Sequence, residues 1–193
     1  MIFEGNVMDI VKTQKSKQTV EYQNKYFYVY SQEVHFGSFS KKYYVTEYGM
    51  KACLLFLNQD SILLVRQYRF LIDRSVWEIP GGKVESGENP AESAIRECQE
   101  ETGIRALNVK PLICYPLGLD CLNASVQIFY TTEFECIKEF TSDPMEVDMI
   151  KWVSLHDCME LIKSGEIMDH GSLITLLYYQ YLKNVGLIQV KES

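Results

Sequence analysis

The sequence contains no run of eighteen consecutive apolar residues, which is the length that a transmembrane helix requires. Residues 1–6 show no basic segment followed by an apolar core, the pattern of a secretory signal. The six cysteines include no C-x-x-C pair, and their wide spacing argues against both a zinc site and a disulfide framework. We therefore expect reduced thiols, no association with a membrane and a cytoplasmic location.

Basic residues are also few, since 19 Lys and Arg stand against 26 Asp and Glu, for a formal net charge of −7. A field of this sign repels polyanions, so nucleic acid is not expected as a partner. A small phosphorylated ligand stays compatible with it, because a few arginines or bound cations reverse the field inside one cleft. His35, His156 and His170 have no cysteine or histidine partner at ligand spacing and are interpreted as surface or core residues.

What is present indicates a folded domain, because 47% of the 193 residues are hydrophobic and 23% are charged. Strands and helices alternate without an internal repeat, which predicts an α+β fold with one main core. Residues 53–57 and 62–68 are expected to form a hairpin. Further strands are expected at 7–11, 107–114, 126–135 and 149–153, and a turn is expected at 14–18. One helix is expected after Ser154, where Asp157 completes an approximate capping box, and a last helix over 173–182.

Aromatic residues are concentrated near the N-terminus, in segments separated by a Gly-Ser pair that suits short antiparallel strands. One interpretation is a small sheet packed on the main core, since aromatics in strands usually serve packing. Two others are a dimer surface and a platform on which a base stacks. The ten residues concerned are Tyr22, Tyr26, Phe27, Tyr28, Tyr30, Phe36, Phe39, Tyr43, Tyr44 and Tyr48.

A helix with strong local signals is predicted between Asn89 and Gly103. Asn89 is a favourable N-cap, and Pro90 suits the first helical position because its missing N–H is not needed there. Gly103 provides a left-handed residue after the last turn. The helix therefore follows directly on the glycine-rich loop that contains Gly81 and Gly82.

Three carboxylates share one side of this helix, because Glu97, Glu100 and Glu101 are three and four residues apart. Taken alone, they are compatible with a solvated acidic face. The preceding glycines favour another interpretation, since they let backbone and ligand approach closely. Carboxylates together with a backbone carbonyl are hard oxygen ligands, suited to Mg²⁺ or Mn²⁺ shared with a phosphate.

The same segment resembles the signature of the Nudix hydrolases at every defined position. That signature is Gly, five residues, Glu, seven residues, Arg-Glu, an apolar residue, any residue, Glu-Glu, any residue, Gly and an apolar residue. The resemblance implies an α-β-α sandwich with a mixed sheet over residues 50–183, in which the signature forms a loop-helix-loop. The matching residues are Gly82, Glu88, Arg96, Glu97, Cys98, Glu100, Glu101, Gly103 and Ile104.

The resemblance also implies roles for these residues. Metal binding is expected from the carboxylates of Glu97, Glu100 and Glu101 and from the carbonyl of Gly81. Arg96 is expected to orient the acids and, with Glu101, to act in catalysis. Glu88 is expected to support them without touching the metal, and Cys98 fills an apolar position without chemistry.

A narrower similarity links the segments Leu64–Arg69 and Trp77–Gly82 to the ADP-ribose and nucleotide-sugar pyrophosphatases. It implies a β extension, residues 1–48, that builds a homodimer and lends aromatics to the substrate, followed by a hydrolase domain over 49–193. Arg66 and Arg69 end a strand, where arginines are most often solvated but can also hold phosphate. Within the resemblance, Arg69, Arg66 and Tyr28 are expected to bind substrate.

The same branch often takes its general base from a loop far from the signature. Glu146 occupies that place here, with Asp143 and Glu139 as alternatives, although Ser-Asp-Pro is also ordinary turn chemistry. The expected reaction is Mg²⁺-dependent, with Mn²⁺ as a substitute, and cleaves a nucleoside diphosphate derivative into a nucleoside monophosphate and a sugar phosphate.

Departures from the branch leave the substrate open between ADP-ribose and a nucleotide sugar. Gly81 stands where many ADP-ribose enzymes have Ala, Pro116 comes earlier after the signature, and Asn123 replaces a common acid. Two further functions stay open. One is a regulatory sensor that binds such a ligand without turnover, and the other is a pyrophosphatase that removes unwanted nucleoside triphosphates.

Overall fold

The structure, a computed structural model of the chain, describes residues 13–137 and 147–188. The expected strand at 7–11 lies outside these residues. Within the described part of the chain, no helix is long and apolar enough to cross a membrane. The chain divides into two compact units, Met1–Gly49 with Pro116–Ala124 and Met50–Tyr115 with Ser125–Ser193. The division into an extension of residues 1–48 and a hydrolase domain stays a prediction.

The first unit is built from antiparallel strands. Strand β3 (Tyr28–Phe36) and the first half of β4 (Phe39–Asn58) form a hairpin around Gly37, whose φ of 68° suits a glycine. Strand β2 (Thr19–Gln23) pairs with the other edge of β3. The prediction of a turn at 14–18 is wrong at its start, because Gln14–Lys15 forms strand β1. This strand pairs antiparallel with β3, where its partners are His35 and Val34.

The aromatic side chains of the first unit lie mostly at its surface. Among the ten aromatic residues from Tyr22 to Tyr48, only Tyr30 is buried, at 8% exposure, and its ring lies 6.0 Å from that of Tyr28. Burial therefore accounts for one ring, while the other nine keep part or most of their surface in contact with solvent. The rings that are more than half exposed belong to Tyr22, Tyr26, Phe39, Tyr44 and Tyr48.

Within the described residues, the second unit contains three helices and most of the remaining strand residues. The expected hairpin is confirmed, since Leu57 pairs with Ile62 at the end of β4 and the start of β5. Strand β7 was not predicted, because two glycines in a three-residue segment weaken every strand signal. The strands are β5 (Ser61–Arg69), β6 (Arg74–Glu78), β7 (Gly81–Lys83), β8 (Ile104–Pro116), β9 (Leu122–Cys136) and β10 (Met149–Ser154).

The helices begin at polar caps. Helix α1 is Pro90–Thr102, α2 is Leu155–Lys163 and α3 is His170–Asn184. The capping box at α2 is confirmed, because Oγ of Ser154 accepts a hydrogen bond of 3.0 Å from the backbone of Asp157. Helix α3 begins three residues earlier than predicted. The reason is that Asp169 caps it by accepting a 2.9 Å hydrogen bond from the N–H of Ser172.

The core of the second unit surrounds the end of β4. All residues of the apolar run from Ala52 to Leu57 are at most 2% exposed, so both faces of the strand are covered. Alternate residues of a strand point to opposite faces. Ala52, Leu54 and Phe56 share one face and form a cluster with Ala94 and Cys98 of α1. This contact fixes α1, and with it the acidic side chains, against the sheet.

Candidate active site

Two glycines bring the backbone of β7 close to the sheet and to the acidic helix. Gly81 has a φ of 147°, and a Cβ at this position would lie closer than 3.0 Å to the carbonyl oxygen of Ala52. A Cβ on Gly82 would come equally close to the carboxylate of Glu97. Strand β7 pairs antiparallel with β4, with Gly81 opposite Cys53. Glycine is therefore required here for close approach.

The helix that carries the acids has the caps expected from the sequence. The side chain of Asn89 accepts a hydrogen bond of 2.8 Å from the N–H of Ala91, and Gly103 adopts a φ of 72°. The buried side of α1 contains Ser93, Ala94, Cys98 and Thr102. Burial of this side leaves the glutamates on the part of the helix that faces the glycine loop and solvent.

Glu101 is the most enclosed of the three acids. Its Oε2 accepts a hydrogen bond of 2.9 Å from the N–H of Gly81, and its Oε1 accepts one of 2.8 Å from Nε2 of Gln67. Burial raises the pKa of Glu101 to about 7, although the Gly81 N–H and the charge of Lys51 favour its ionised form. At neutral pH this carboxylate is poised between holding and releasing a proton.

Arg96 joins the other acids of the signature. Its guanidinium binds both oxygens of Glu88, at 2.9 and 3.1 Å, and donates to Oε1 of Glu97 at 2.8 Å. The hydrogen bonds from Arg96 hold the pKa of Glu88 at about 2, well below its ordinary value. Arg96 thus keeps Glu88 ionised and fixes the orientation of Glu97.

Glu100 lies apart from the glycine loop. Its side chain is 61% exposed, and among the described residues its hydrogen-bond partner is Arg96, at 3.3 Å. The structure therefore brings Glu97 and Glu101 together with Gly81 and Gly82, and leaves Glu100 at the outer edge of the site.

The donor set fits a divalent cation in its chemistry. Glu97 and Glu101 offer hard carboxylate oxygens beside a loop with no side chains, where a phosphate can approach. The side chains are not assembled around an ion, however. Arg96 and the N–H of Gly81 occupy their oxygens, and within the described ranges no group of three or more His, Cys, Asp or Glu side chains is placed to hold a metal.

The two arginines at the end of β5 are both paired with carboxylates. Arg66 donates to Oδ1 of Asp148 at 2.7 Å and lies over the ring of Trp77, 5.6 Å from its centroid. Arg69 forms a two-pronged ion pair with Glu78, whose side chain is only 4% exposed. Both side chains stay partly open to solvent, since that of Arg66 is 34% exposed and that of Arg69 is 42% exposed.

For the remaining predicted site residues, the structure gives only their place in the chain. Tyr28 lies on β3 in the first unit. Glu146, with its alternatives Asp143 and Glu139, lies outside the described residues. Their assignment to substrate binding and to the general base stays a prediction.

Sequence reasoning missed the residues that hold the predicted ones in place. Gln67 is 9% exposed and fixes Glu101, while Glu78 is 3% exposed and fixes Arg69. Buried polar residues need partners, so Gln67 and Glu78 within apolar strands were a signal that a network lies there. The partners could not be identified, because Gln67 and Glu101 are 34 residues apart.

Comparison with known proteins identifies relatives over most of the chain. The model of the NUDIX domain matches residues 48–171. An ADP-ribose pyrophosphatase of Bacillus subtilis is 29% identical over 180 residues, which cover 93% of this chain and 88% of that protein. A methanol dehydrogenase activator of Bacillus methanolicus is 31% identical over 75% of this chain and 78% of its own length. A crystal structure of an ADP compounds hydrolase, 17% identical, shares the fold with a TM-score of 0.76, over 92% of this chain and 97% of that one.

Proposed function

The chain belongs to the Nudix hydrolase family, and from this premise we propose that it hydrolyses the diphosphate of ADP-ribose or of a nucleotide sugar. The products are a nucleoside monophosphate and a sugar phosphate. The observation that carries the proposal is the contact of the glycine loop with the helix acids, in which Gly81 donates to Glu101 and Gly82 leaves room for Glu97. The pyrophosphatase of Bacillus subtilis, similar along nearly the whole chain, supports the choice of substrate.

The proposal includes Mg²⁺, with Mn²⁺ as a substitute, held by Glu97, Glu100, Glu101 and the carbonyl of Gly81. A bound divalent cation neutralises phosphate oxygens and lowers the pKa of a water molecule. Side chains of the protein orient the ligands and bind the substrate. Arg96 orients Glu97 by donating a 2.8 Å hydrogen bond to its Oε1.

In the metal-free protein the pKa of Glu101 is about 7, so a bound cation would displace the proton that this carboxyl partly holds at neutral pH. We assign the removal of the proton from the attacking water to Glu146, on the family resemblance, with Glu101 assisting. Arg69 and Arg66 are assigned to the diphosphate. Each keeps its carboxylate partner, so a bound phosphate adds to an existing ion pair and does not meet a free guanidinium.

We further propose that the active form is a homodimer. The exposed aromatic rings of the first unit support this, since contiguous exposed apolar surface on a folded protein usually marks an association site. Tyr28 is assigned to the nucleoside within this proposal.

A panel of substrates tests the proposed function. Purified protein is assayed with ADP-ribose, several nucleotide sugars and the nucleoside triphosphates, each with and without Mg²⁺. Mg²⁺-dependent release of a nucleoside monophosphate from a diphosphate derivative is expected. Faster turnover of nucleoside triphosphates would show that they, and not diphosphate derivatives, are the substrates. Tight binding of a nucleotide sugar without turnover would instead indicate a sensor.

A further inference from the structure

Two buried polar groups of the second unit have no hydrogen-bond partner among the residues that the structure describes. They are the hydroxyl of Tyr115 and Oδ1 of Asp169. Unsatisfied buried polar groups are costly and rare in native proteins, so two in one neighbourhood require an explanation. The half-buried Lys51 also makes no side-chain hydrogen bond or ion pair with any described residue.

The chain places these groups beside the glycine loop. Lys51 and Cys53 lie on the face of β4 opposite to the one that packs on α1, and Cys53 is the strand partner of Gly81. The first turn of α3 is tied to the same loop, because Oγ of Ser172 accepts a buried hydrogen bond of 2.9 Å from the N–H of Ile79. Asp169 therefore lies near the entrance to β7.

Gly171 lies beside both Tyr115 and Asp169. A Cβ at this position would lie 3.0 Å from Oδ2 of Asp169 and 4.0 Å from the Tyr115 hydroxyl. A side chain there would therefore crowd the carboxylate of Asp169. The carboxylate acceptor and the hydroxyl thus share one neighbourhood.

Electrostatics connect the same groups to one another and to the acids of the signature. Burial lowers the pKa of Lys51, but the neighbouring Cys53, Glu78 and Asp169 raise it by more. The pKa of Lys51 therefore lies above its ordinary value, and the ammonium stays charged. Burial also raises the pKa of Tyr115 to about 12, with Cys53 and Asp169 contributing, so its hydroxyl keeps its proton. The positive charge of Lys51 in turn opposes the rise in the pKa of Glu101.

The chemistry of the group complements the hydroxyls of a sugar. A carbohydrate hydroxyl donates one hydrogen bond and accepts others, which matches the carboxylate acceptor of Asp169 and the donors of Tyr115 and Lys51. Ordered water can satisfy the same groups, as it does in many buried polar sites. Water and a diol therefore compete for one place, and a ligand that reproduces the hydrogen bonds displaces the water.

We propose that Lys51, Tyr115 and Asp169 form a subsite that binds hydroxyl groups of the substrate's sugar, beside the loop of the Nudix signature. The inference rests on the proposed function, because that function supplies a sugar linked to a diphosphate. It assigns sugar recognition to three residues that no motif identifies.

Kinetics with paired substrates test the subsite. Tyr115→Phe removes only the hydroxyl, and Asp169→Asn keeps a cap acceptor for α3 while removing the charge. Both are compared on ADP-ribose and on the methyl ester of ADP, which has the same diphosphate and no sugar. We expect Tyr115→Phe to lower kcat/KM for ADP-ribose about tenfold, mainly through KM, and to leave the methyl ester unchanged. Tyr181→Phe, which alters an exposed tyrosine of α3, is the matched control.

A binding measurement keeps the subsite testable apart from turnover. The dissociation constants of ribose 5-phosphate and of inorganic phosphate are measured by ligand-observed NMR for the wild type, Tyr115→Phe, Asp169→Asn and Tyr181→Phe. We expect Tyr115→Phe and Asp169→Asn to bind ribose 5-phosphate more weakly than the wild type does. Their binding of inorganic phosphate, and both constants of Tyr181→Phe, should be unchanged. If the enzyme assays fail but this pattern is found, the proposed function falls and the subsite stands.

Several results would overturn the inference. Equal losses on ADP-ribose and on the methyl ester would indicate a structural role. Unchanged binding of ribose 5-phosphate in both variants would show that the space holds water only. In either case hydrolysis of ADP-ribose by the wild type would leave the proposed function intact.

Discussion

The backbone N–H of Gly81 donates a 2.9 Å hydrogen bond to Oε2 of Glu101, which joins the glycine loop to the last turn of α1. The two residues are 20 positions apart in the chain. The bond holds one oxygen of a buried carboxylate while Gln67 holds the other, so the position of Glu101 is fixed before any ligand arrives. Preorganisation of this kind lowers the cost of arranging charge during a reaction.

Glu97→Gln and Glu101→Gln should each lower kcat/KM about a hundredfold, or roughly 2.7 kcal/mol of transition-state stabilisation. Each change removes an oxygen ligand expected for the metal and keeps the size of the side chain. Steady-state rates at saturating Mg²⁺ measure the effect. Glu92→Gln, on the exposed first turn of the same helix, is the control and should stay near wild type. Comparable activity in all three variants would contradict the assignment.

The pH dependence of stability should report on Glu101. Its pKa of about 7 in the folded protein lies above the ordinary value of 4.5, so between these values the folded state binds more protons than the unfolded state. The free energy of unfolding should therefore fall as the pH rises from 4.5 to 7, by up to about 3 kcal/mol for this group. Urea unfolding of metal-free protein at several pH values measures it.

The matched variant for this measurement is Glu101→Gln, which cannot titrate. The difference in unfolding free energy between wild type and variant should change across that window and be constant below it. A constant difference at all pH values would show that burial does not raise this pKa.

Gly82→Ala and Gly87→Ala should separate activity from stability. A Cβ on Gly82 meets the flexible carboxylate end of Glu97, so Glu97 is displaced, activity falls at least tenfold and the fold persists. Gly87 has open space around its Cβ but a φ of 82°, so alanine there should cost about 1 kcal/mol of stability and spare activity. Rates and thermal unfolding of both variants are compared. A loss of stability with full activity in Gly82→Ala would show that Gly82 does not belong to the active site.

Glu146→Gln should lower kcat more than it raises KM, because a general base acts on the chemical step and contributes little to ground-state binding. Asp143→Asn and Glu139→Gln, at the two alternative positions, are the comparison variants. The pH profile of kcat should lose its acidic limb only in the variant that lacks the base. If Asp143→Asn or Glu139→Gln shows this loss instead, the base is reassigned to that residue.

The exposed aromatics of the first unit should support a dimer. Tyr44→Ser with Tyr48→Ser removes two rings, each more than half exposed, from the same face of β4. Sedimentation equilibrium should then give a dissociation constant at least tenfold higher than that of the wild type. Tyr181→Ser, an exposed tyrosine of the second unit, should leave it unchanged. A monomeric wild type at all concentrations would remove the dimer from the proposal.

The sequence by itself determined helix α1 and its acids, because every signal there is local. Asn89, Pro90 and Gly103 set the ends of the helix through their own backbone chemistry, and the spacing of the glutamates follows from the helical repeat. The hairpin of β4 and β5 is equally local. The family signature added the expected chemistry of these residues only because its spacing is preserved along one continuous segment.

The tertiary structure decided which groups those residues meet. Glu101 acquires its pKa of about 7 from burial between Gly81 and Gln67, and Arg69 is paired with Glu78 across two antiparallel strands. The unsatisfied groups of Tyr115 and Asp169 come together from β8 and the start of α3, 54 residues apart in the numbering. Burial and long-range contact depend on how the strands pack, and no local pattern in the chain encodes them.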